Sequence, residues 1–110
     1  MGLSSTEVKT SKKTKIKKPK KYAVYILNDD YTPWDFVIQT LMKVFNKTGQ
    51  EANELTSSVH RQGEGLCGIY TKEIAESKVQ AATEFAKVNK QPLRTVMKAI
   101  WNEKRILNYD

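Results

Sequence analysis

Apolar and polar positions along residues 22–99 recur with two different periods, and these periods predict strands and helices. Short apolar runs between turn residues are typical of strands, and they occupy residues 22–27, 66–70 and 93–99. Apolar residues recurring every three or four positions are typical of one helix face, and such stripes occupy residues 34–45, 50–61 and 72–89. The pattern therefore predicts the element order β-α-α-β-α-β.

Candidate caps support these boundaries. Thr32 is predicted to cap the first helix with Pro33 as its first residue, Thr48 and Glu51 form a candidate capping box for the second, and Thr71 is a candidate cap for the third. The simplest way to bury three apolar helix stripes is a small two-layer α+β domain, with three helices on one face of a three-stranded antiparallel sheet. In the third helix the inward side is predicted to comprise Ile74, Ala75, Val79, Ala82, Phe85 and Ala86.

The net charge of the 110-residue chain is +7, and the surplus lies in one segment. Residues 1–21 contain eight lysines and one glutamate, whereas the other 11 basic residues balance the other 11 acidic ones. Because residues 1–21 are also poor in apolar side chains, we expect a flexible, disordered, lysine-rich N-terminal extension. The folded domain is then expected over residues 22–99, and residues 100–110 form a C-terminal tail of unassigned role.

Several function classes find little support in the composition. No segment resembles a signal peptide or a membrane span, and the single cysteine, Cys67, excludes an internal disulfide, so we expect a cytoplasmic protein without a membrane partner. One cysteine and one histidine fall short of the usual metal-ligand sets, so no metal is expected. Residues 63–68 match the letters G-x-G-x-x-G but join a helix to a strand, the reverse of a phosphate-binding turn. No cofactor is expected.

The clearest candidate chemistry is the turn Asn28-Asp29-Asp30 between the first strand and the first helix. Two carboxylates and an amide in one turn suit a cation with several N–H donors, such as a lysine head, a metal or a free α-amino group. A solvated turn explains the same residues, because Asn and Asp favour turns in any protein. His60 ends the second helix and is either a partner of this turn or a histidine that bonds nearby helix-end carbonyls.

A set of short motifs in fixed order extends this picture and resembles the ClpS adaptor family. The motifs are Asn28-Asp29-Asp30-Tyr31-Thr32-Pro33, Phe36-Val37-Ile38, Val59-His60, Gln62-Gly63, Cys67-Gly68, Ala75-Glu76 and Lys78-Val79. The resemblance runs from about residue 22 to residue 99 and implies a small α/β domain without enzymatic activity. It implies an adaptor that captures proteins with a destabilising N-terminal residue, the N-degron, and delivers them to the ClpA-type AAA+ unfoldase of the ClpAP protease.

The resemblance also implies roles for individual residues. The substrate's α-amino group would be bound by Asn28, Asp29, Asp30 and His60. The bulky first side chain (Leu, Phe, Tyr or Trp) would enter a pocket lined by Thr32, Trp34, Val37, Thr56, Val59 and Leu93. The unfoldase would dock on Glu73 and Lys78, with Tyr31 as a weaker candidate, and the leader would enter its pore.

Two positions depart from the family's familiar pattern, because Trp34 and Thr56 stand where methionines are usual. A rigid indole and a small polar side chain there leave the ranking of first residues open. Two other functions remain alternatives. A basic N-terminal arm suits a small nucleic-acid-binding protein, although neither aromatic residues nor arginines interleave with its lysines. A Cys/His hydrolase would need Cys67 and His60 together, and a small buried hydrophobe is the simpler interpretation of Cys67.

Overall fold

The computed structural model describes residues 21–100, which form three strands and three helices in the predicted order. The elements are β1 (Lys21–Leu27), α1 (Trp34–Phe45), α2 (Gly49–Gln62), β2 (Glu64–Tyr70), α3 (Lys72–Val88) and β3 (Arg94–Ile100). The predicted boundaries hold to within one or two residues. The predicted α+β class and the β-α-α-β-α-β order are thus confirmed.

The sheet has the strand order β2-β1-β3, and β1 pairs with both neighbours in antiparallel fashion. At one end of the sheet Leu27 lies opposite Glu64 and Arg94. The β1–β2 register shifts between Val24 and Tyr25. The chain leaves β1 at the Leu27 end, so the predicted binding turn projects from that end of the domain.

The hydrophobic core lies between the sheet and the helices. Val24 and Ile26 of β1 are fully buried and belong to one cluster with apolar residues of all three helices. Phe36 of α1 stacks on Phe85 of α3 with ring centroids 5.0 Å apart, which joins these two helices. The prediction that Ile74 faces inward is wrong. Ile74 lies in the first turn of α3, beside the buried Ala75, and is 49% exposed.

The helix starts confirm one predicted cap in full and correct another. At Thr48 the hydroxyl accepts the Glu51 N–H at 3.1 Å while the Glu51 carboxylate accepts the Thr48 N–H at 2.9 Å, a complete capping box. At the start of α1, Pro33 rather than Thr32 is the N-cap, and no side chain bonds the first turn. Thr71 is the N-cap of α3 as predicted, but its side chain makes no capping hydrogen bond.

The two predicted terminal segments lie almost wholly outside the described residues. Lys21 and Ile100, which the sequence assigns to the leader and the tail, belong to β1 and β3. Residues 1–20 and 101–110 are not described. Within the described part of the chain, no helix combines the length and apolar character needed to cross a bilayer.

Candidate functional site

The turn after β1 is organised by Asp29. Its Oδ1 accepts the backbone N–H groups of Tyr31 at 2.8 Å and Thr32 at 2.7 Å, and its Oδ2 accepts the Thr32 hydroxyl at 2.8 Å. These bonds replace the N-terminal cap predicted for Thr32, because the hydroxyl faces back towards Asp29 instead of into α1. A carboxylate offers about four lone-pair sites, and three are used here. Asp29 therefore shapes the turn and retains limited capacity for a ligand.

The same bonds change the acidity of Asp29. Partial burial raises the pKa of this carboxyl, but the hydrogen bonds from the Thr32 and Tyr31 backbones and from the Thr32 hydroxyl lower it more in total, and the positive charge of Arg94 adds to the lowering. The net pKa lies below the ordinary value. Asp29 is therefore ionised at neutral pH and contributes a fixed negative charge at this end of the sheet.

A backbone hydrogen bond ties the turn to the end of α2. The Asn28 N–H donates to the Gly63 carbonyl at 2.9 Å. Gly63 ends α2 with a φ of 92°, a left-handed conformation in which glycine is strongly favoured. His60 is three residues before Gly63, so this bond brings the last turn of α2 alongside the start of the Asn28–Asp30 turn. The structure thus supports the predicted proximity of the turn and His60.

Trp34 is the side chain that contacts His60 directly. Their ring centroids are 5.9 Å apart and the ring planes are tilted by 55°. The Trp34 indole N–H also donates to Asn53 Oδ1 at 3.2 Å. Asn53 and His60 are seven residues apart, about two helical turns, and therefore lie on the same side of α2. Although the apolar stripe of α1 begins at Trp34, its side chain is 43% exposed, so it is not an ordinary core residue.

Four of the other predicted pocket residues are buried in the hydrophobic core or beside it. Val37, Val59 and Leu93 are nearly fully buried members of the hydrophobic core cluster. Thr56 is equally buried, and its hydroxyl donates to the Ala52 carbonyl one turn earlier at 2.7 Å. Because that hydroxyl is satisfied within its own helix, the surface that Thr56 presents to its neighbours is largely its methyl group. The small polar residue is therefore compatible with an apolar pocket.

The exposed polar groups of the site could bind a cation rich in donors. Asn28 and Asp30 are solvent-exposed, and no hydrogen bond within the described residues occupies the Asp30 carboxylate. His60 is exposed at the end of α2. Together they offer carboxylate, amide and imidazole acceptors beside an aromatic ring. Acceptors of these kinds suit an ammonium ion, which donates several hydrogen bonds. The described residues contain no group of three or more metal-ligating side chains.

The three residues predicted to dock the unfoldase do not form one cluster. Tyr31 is 81% exposed in the turn at the Leu27 end of β1. Glu73 is exposed in the first turn of α3, which follows the end of β2 opposite Tyr22, at the other end of the sheet. Lys78 is partly buried, and its ammonium donates to the Val44 carbonyl in the last turn of α1 at 2.8 Å. Lys78 therefore has a structural bond that the sequence does not reveal.

Cys67 is unsuited to nucleophilic chemistry. Its side chain is 1% exposed, and the thiol lies 3.7 Å from the Gly65 carbonyl. Burial raises the pKa of the thiol to about 12, so it stays protonated at neutral pH. The prediction of a small buried hydrophobe is confirmed, and the Cys/His hydrolase loses its nucleophile.

Two features of the surface of α2 escaped sequence reasoning. Asn53 carries no motif, and its one signal is the seven-residue spacing from His60 on the same helix face. A surface groove of about 330 Å³ lies elsewhere, lined by Lys47, Glu51, Glu54, Leu55, Ser58 and Leu66. Its α2 residues lie on the opposite side of that helix from Asn53 and His60. The groove is therefore separate from the predicted binding site.

Comparisons of this chain with a family model, with individual sequences and with solved structures all identify the same family. A family model described as the ATP-dependent Clp protease adaptor protein ClpS matches residues 17–96. The Clp protease adapter ClpS of Helicobacter hepaticus is 46% identical over 94 residues, which cover 86% of this chain and 95% of the relative. The corresponding protein of Rhodospirillum centenum is 45% identical over 93 residues, covering 84% and 86%. Among solved structures, Agrobacterium tumefaciens ClpS2 bound to L-phenylalaninamide matches with a TM-score of 0.72 and 34% identity, covering 76% of this chain and 100% of that one.

Proposed function

The chain belongs to the ClpS family of ATP-dependent Clp protease adaptor proteins, and from that premise we propose that it captures N-degron proteins for a ClpA-type unfoldase. It would bind the free α-amino group of a substrate together with a bulky apolar first side chain: Leu, Phe, Tyr or Trp. The substrate would then pass to the ClpAP protease in the cytoplasm. In this proposal the protein itself catalyses no reaction.

One observation carries the proposal: the acceptor-rich Asn28–Asp30 turn is bonded to the end of α2, where His60 lies against Trp34. An ammonium ion donates up to three hydrogen bonds, and bonds to charged groups contribute about 1.5–3 kcal/mol each. Asn28, Asp30 and His60 are the available acceptors, since all three are exposed. Asp29 acts mainly by holding the turn and adding negative charge.

The adjoining residues suit an apolar side chain. The nearly buried Val37, Val59 and Leu93 supply an apolar floor, and the half-exposed Trp34 supplies a wall at the surface. Burying a Leu or Phe side chain contributes about 1.5–3 kcal/mol, which discriminates large apolar residues from small polar ones. The L-phenylalaninamide bound by Agrobacterium tumefaciens ClpS2 has a free α-amino group beside a benzyl side chain, and this chemistry supports the same two-part recognition here.

Unfoldase docking fits the exposed face of α3. Glu73 is exposed and forms no side-chain hydrogen bond within the described residues, so it is available to a partner. Lys78 bonds to the Val44 carbonyl, and docking through it would require that bond to break or to share its donor. Tyr31 lies at the other end of the sheet and would belong to a separate contact. Glu73 is therefore our principal docking residue.

Peptides that differ only at the N-terminus test the proposal. Fluorescence anisotropy of peptides beginning with free Leu, Phe, Tyr or Trp should show binding, and their N-acetylated twins should not bind, because acetylation removes the charge and two donors. Asp30→Ala or His60→Ala should weaken binding by about ten- to a hundred-and-fifty-fold. Glu54→Ala, at the separate groove on α2, is the matched control and should bind as the unchanged chain does. Equal affinity for free and acetylated peptides would refute the proposal.

A further inference from the structure

Trp34 is restrained from two directions, and one of the restraining residues has no role in the site as described so far. The indole ring lies against His60, with 5.9 Å between ring centroids. The indole N–H donates to Asn53 Oδ1 at 3.2 Å, across 19 residues of sequence. Asn53 projects from a well-fixed part of α2: the helix begins at a complete capping box, and the neighbouring Ala52 is fully buried. The hydrogen bond therefore anchors a half-exposed aromatic ring to a rigid helix.

We propose that Asn53 is a positioning residue that holds the Trp34 indole over the entrance of the side-chain pocket and thereby excludes β-branched first residues. This inference rests on the proposed function, because it requires that the pocket receive the first side chain of a substrate. Asn53 itself touches no part of the substrate. Its effect is exerted through the orientation of Trp34.

The chemistry of the first residue explains why selectivity should depend on this ring. The Cβ of that residue is two bonds from its amine nitrogen, so a branch at Cβ meets whatever side chain borders the amine site. Trp34 borders that site because it lies against His60. Ile and Val branch at Cβ, whereas Leu, Phe, Tyr and Trp branch one atom farther from the amine. A fixed indole penalises Ile and Val, and a freely rotating indole relieves the penalty with little effect on Leu or Phe.

The measured quantity is the ratio of the Kd for an Ile-peptide to the Kd for a Leu-peptide, obtained by anisotropy with the full chain. Asn53→Ala removes the acceptor and should lower this ratio by about two- to tenfold, the usual effect of one hydrogen bond. Asn53→Asp keeps an acceptor oxygen and should preserve the ratio. Its added charge affects both peptides equally and cancels. Gln50→Ala, an exposed residue one turn earlier in α2, is the matched control and should leave the ratio unchanged.

Trp34→Phe tests the same bond from the donor side, because it keeps an aromatic ring and removes the N–H. It should lower the ratio as Asn53→Ala does, and the double variant should lower it no further, since both changes remove one interaction. A spectroscopic readout is independent of affinity. With Trp101 replaced by Phe, acrylamide should quench Trp34 fluorescence more strongly in Asn53→Ala than in Asn53→Asp.

Asn53→Ala should not disrupt α2, because alanine favours helix more than asparagine does. The melting temperature of each variant shows whether it is folded. The proposal is overturned by an unchanged ratio in Asn53→Ala, by an equal fall in Asn53→Asp, by additive effects in the double variant, or by a starting chain that binds Ile- and Leu-peptides equally. A chain that binds no free-amine peptide at all overturns the proposed function together with this inference. Normal Leu-peptide binding with an unaltered ratio overturns only the role of Asn53.

Discussion

Two neighbouring carboxylates in the Asn28–Asp30 turn have different surroundings. Asp29 accepts three hydrogen bonds within the turn, whereas Asp30 is exposed and free of such bonds in the described residues. Sequence reasoning placed both carboxylates in the amine site and could not separate them, because the letters Asp-Asp do not reveal which side chain faces inward. The difference depends on the Thr32 hydroxyl, which bonds Asp29 instead of capping α1.

The lowered pKa of Asp29 gives a stability prediction with a definite sign. Because the folded-state pKa lies below the unfolded-state value, the ionised carboxylate stabilises the fold above the unfolded pKa, and this contribution is lost as the pH falls through the folded pKa. Asp29→Asn should lower the free energy of unfolding by about 1 kcal/mol at pH 7. Urea titrations should show this difference persisting down to about pH 4 and shrinking below it. A difference that grows on acidification would contradict the hydrogen-bonded carboxylate.

Contacts between residues far apart in the sequence were the least predictable part of the site. His60 and Trp34 were both recognised in the sequence, but nothing in the sequence indicates that their ring centroids lie 5.9 Å apart. Asn53 was missed altogether, because its partner is 19 residues away and its seven-residue spacing from His60 does not by itself indicate a contact. Such contacts arise from the packing of α1 on α2, which the sequence specifies only through the core residues beneath them.

At the scale of elements the sequence was sufficient, because the apolar period of each segment is unambiguous and turn residues separate the segments. All six elements were predicted with the right type and order. The errors concern caps: a threonine before a helix predicts an N-cap, yet the backbone can place another residue there. Pro33 takes that position in α1, and Thr71 takes it in α3 without a side-chain bond.

The two threonine caps offer a matched comparison. Thr48→Ala removes the hydroxyl that accepts the Glu51 N–H and should cost about 1 kcal/mol, which lowers the melting temperature by about 4–8 °C in a domain of this size. Thr71→Ala should cost distinctly less, because no capping bond is lost. Thermal unfolding followed by circular dichroism measures both. Equal losses would mean that the capping box contributes nothing specific.

Lys78 shows how one element supports another. Its ammonium bonds the Val44 carbonyl near the C-terminus of α1, where a positive charge also offsets the helix dipole. The family resemblance assigns Lys78 to docking, and the sequence alone could not reveal this second use. A substitution at Lys78 therefore changes the α1–α3 contact as well as any docking surface. A substitution at Glu73 leaves the α1–α3 contact unchanged and affects only the docking surface.

For the whole molecule, the uneven distribution of charge allows the proposed substrate capture and the proposed delivery to be tested separately. The surplus of +7 lies in residues 1–21, and the rest of the chain is neutral. Deleting residues 1–20, which leaves β1 intact, should preserve peptide affinity and abolish degradation of an N-degron reporter by ClpAP. Glu73→Lys should also preserve peptide affinity and reduce degradation, through docking rather than pore engagement.

The rival nucleic-acid function predicts the opposite behaviour for the same deletion. Duplex binding by the full chain would then be tight, would fall steeply with salt, with a slope of about −0.9 per phosphate contact, and would vanish without residues 1–20. Peptide binding would be absent from both forms. Titrating one peptide and one duplex against the full and shortened chains distinguishes the two functions.

The most direct test of N-terminal recognition is a heteronuclear NMR titration of the ¹⁵N-labelled full chain with a Phe-peptide and its N-acetylated twin. With the free amine, the largest shifts should fall on the Asn28–Asp30 amides, the His60 amide and the Trp34 indole N–H, and the acetylated peptide should leave them in place. Shifts centred on the separate groove around Leu55 and Leu66, or equal shifts with both peptides, would contradict a binding site for the free N-terminus at this end of the domain.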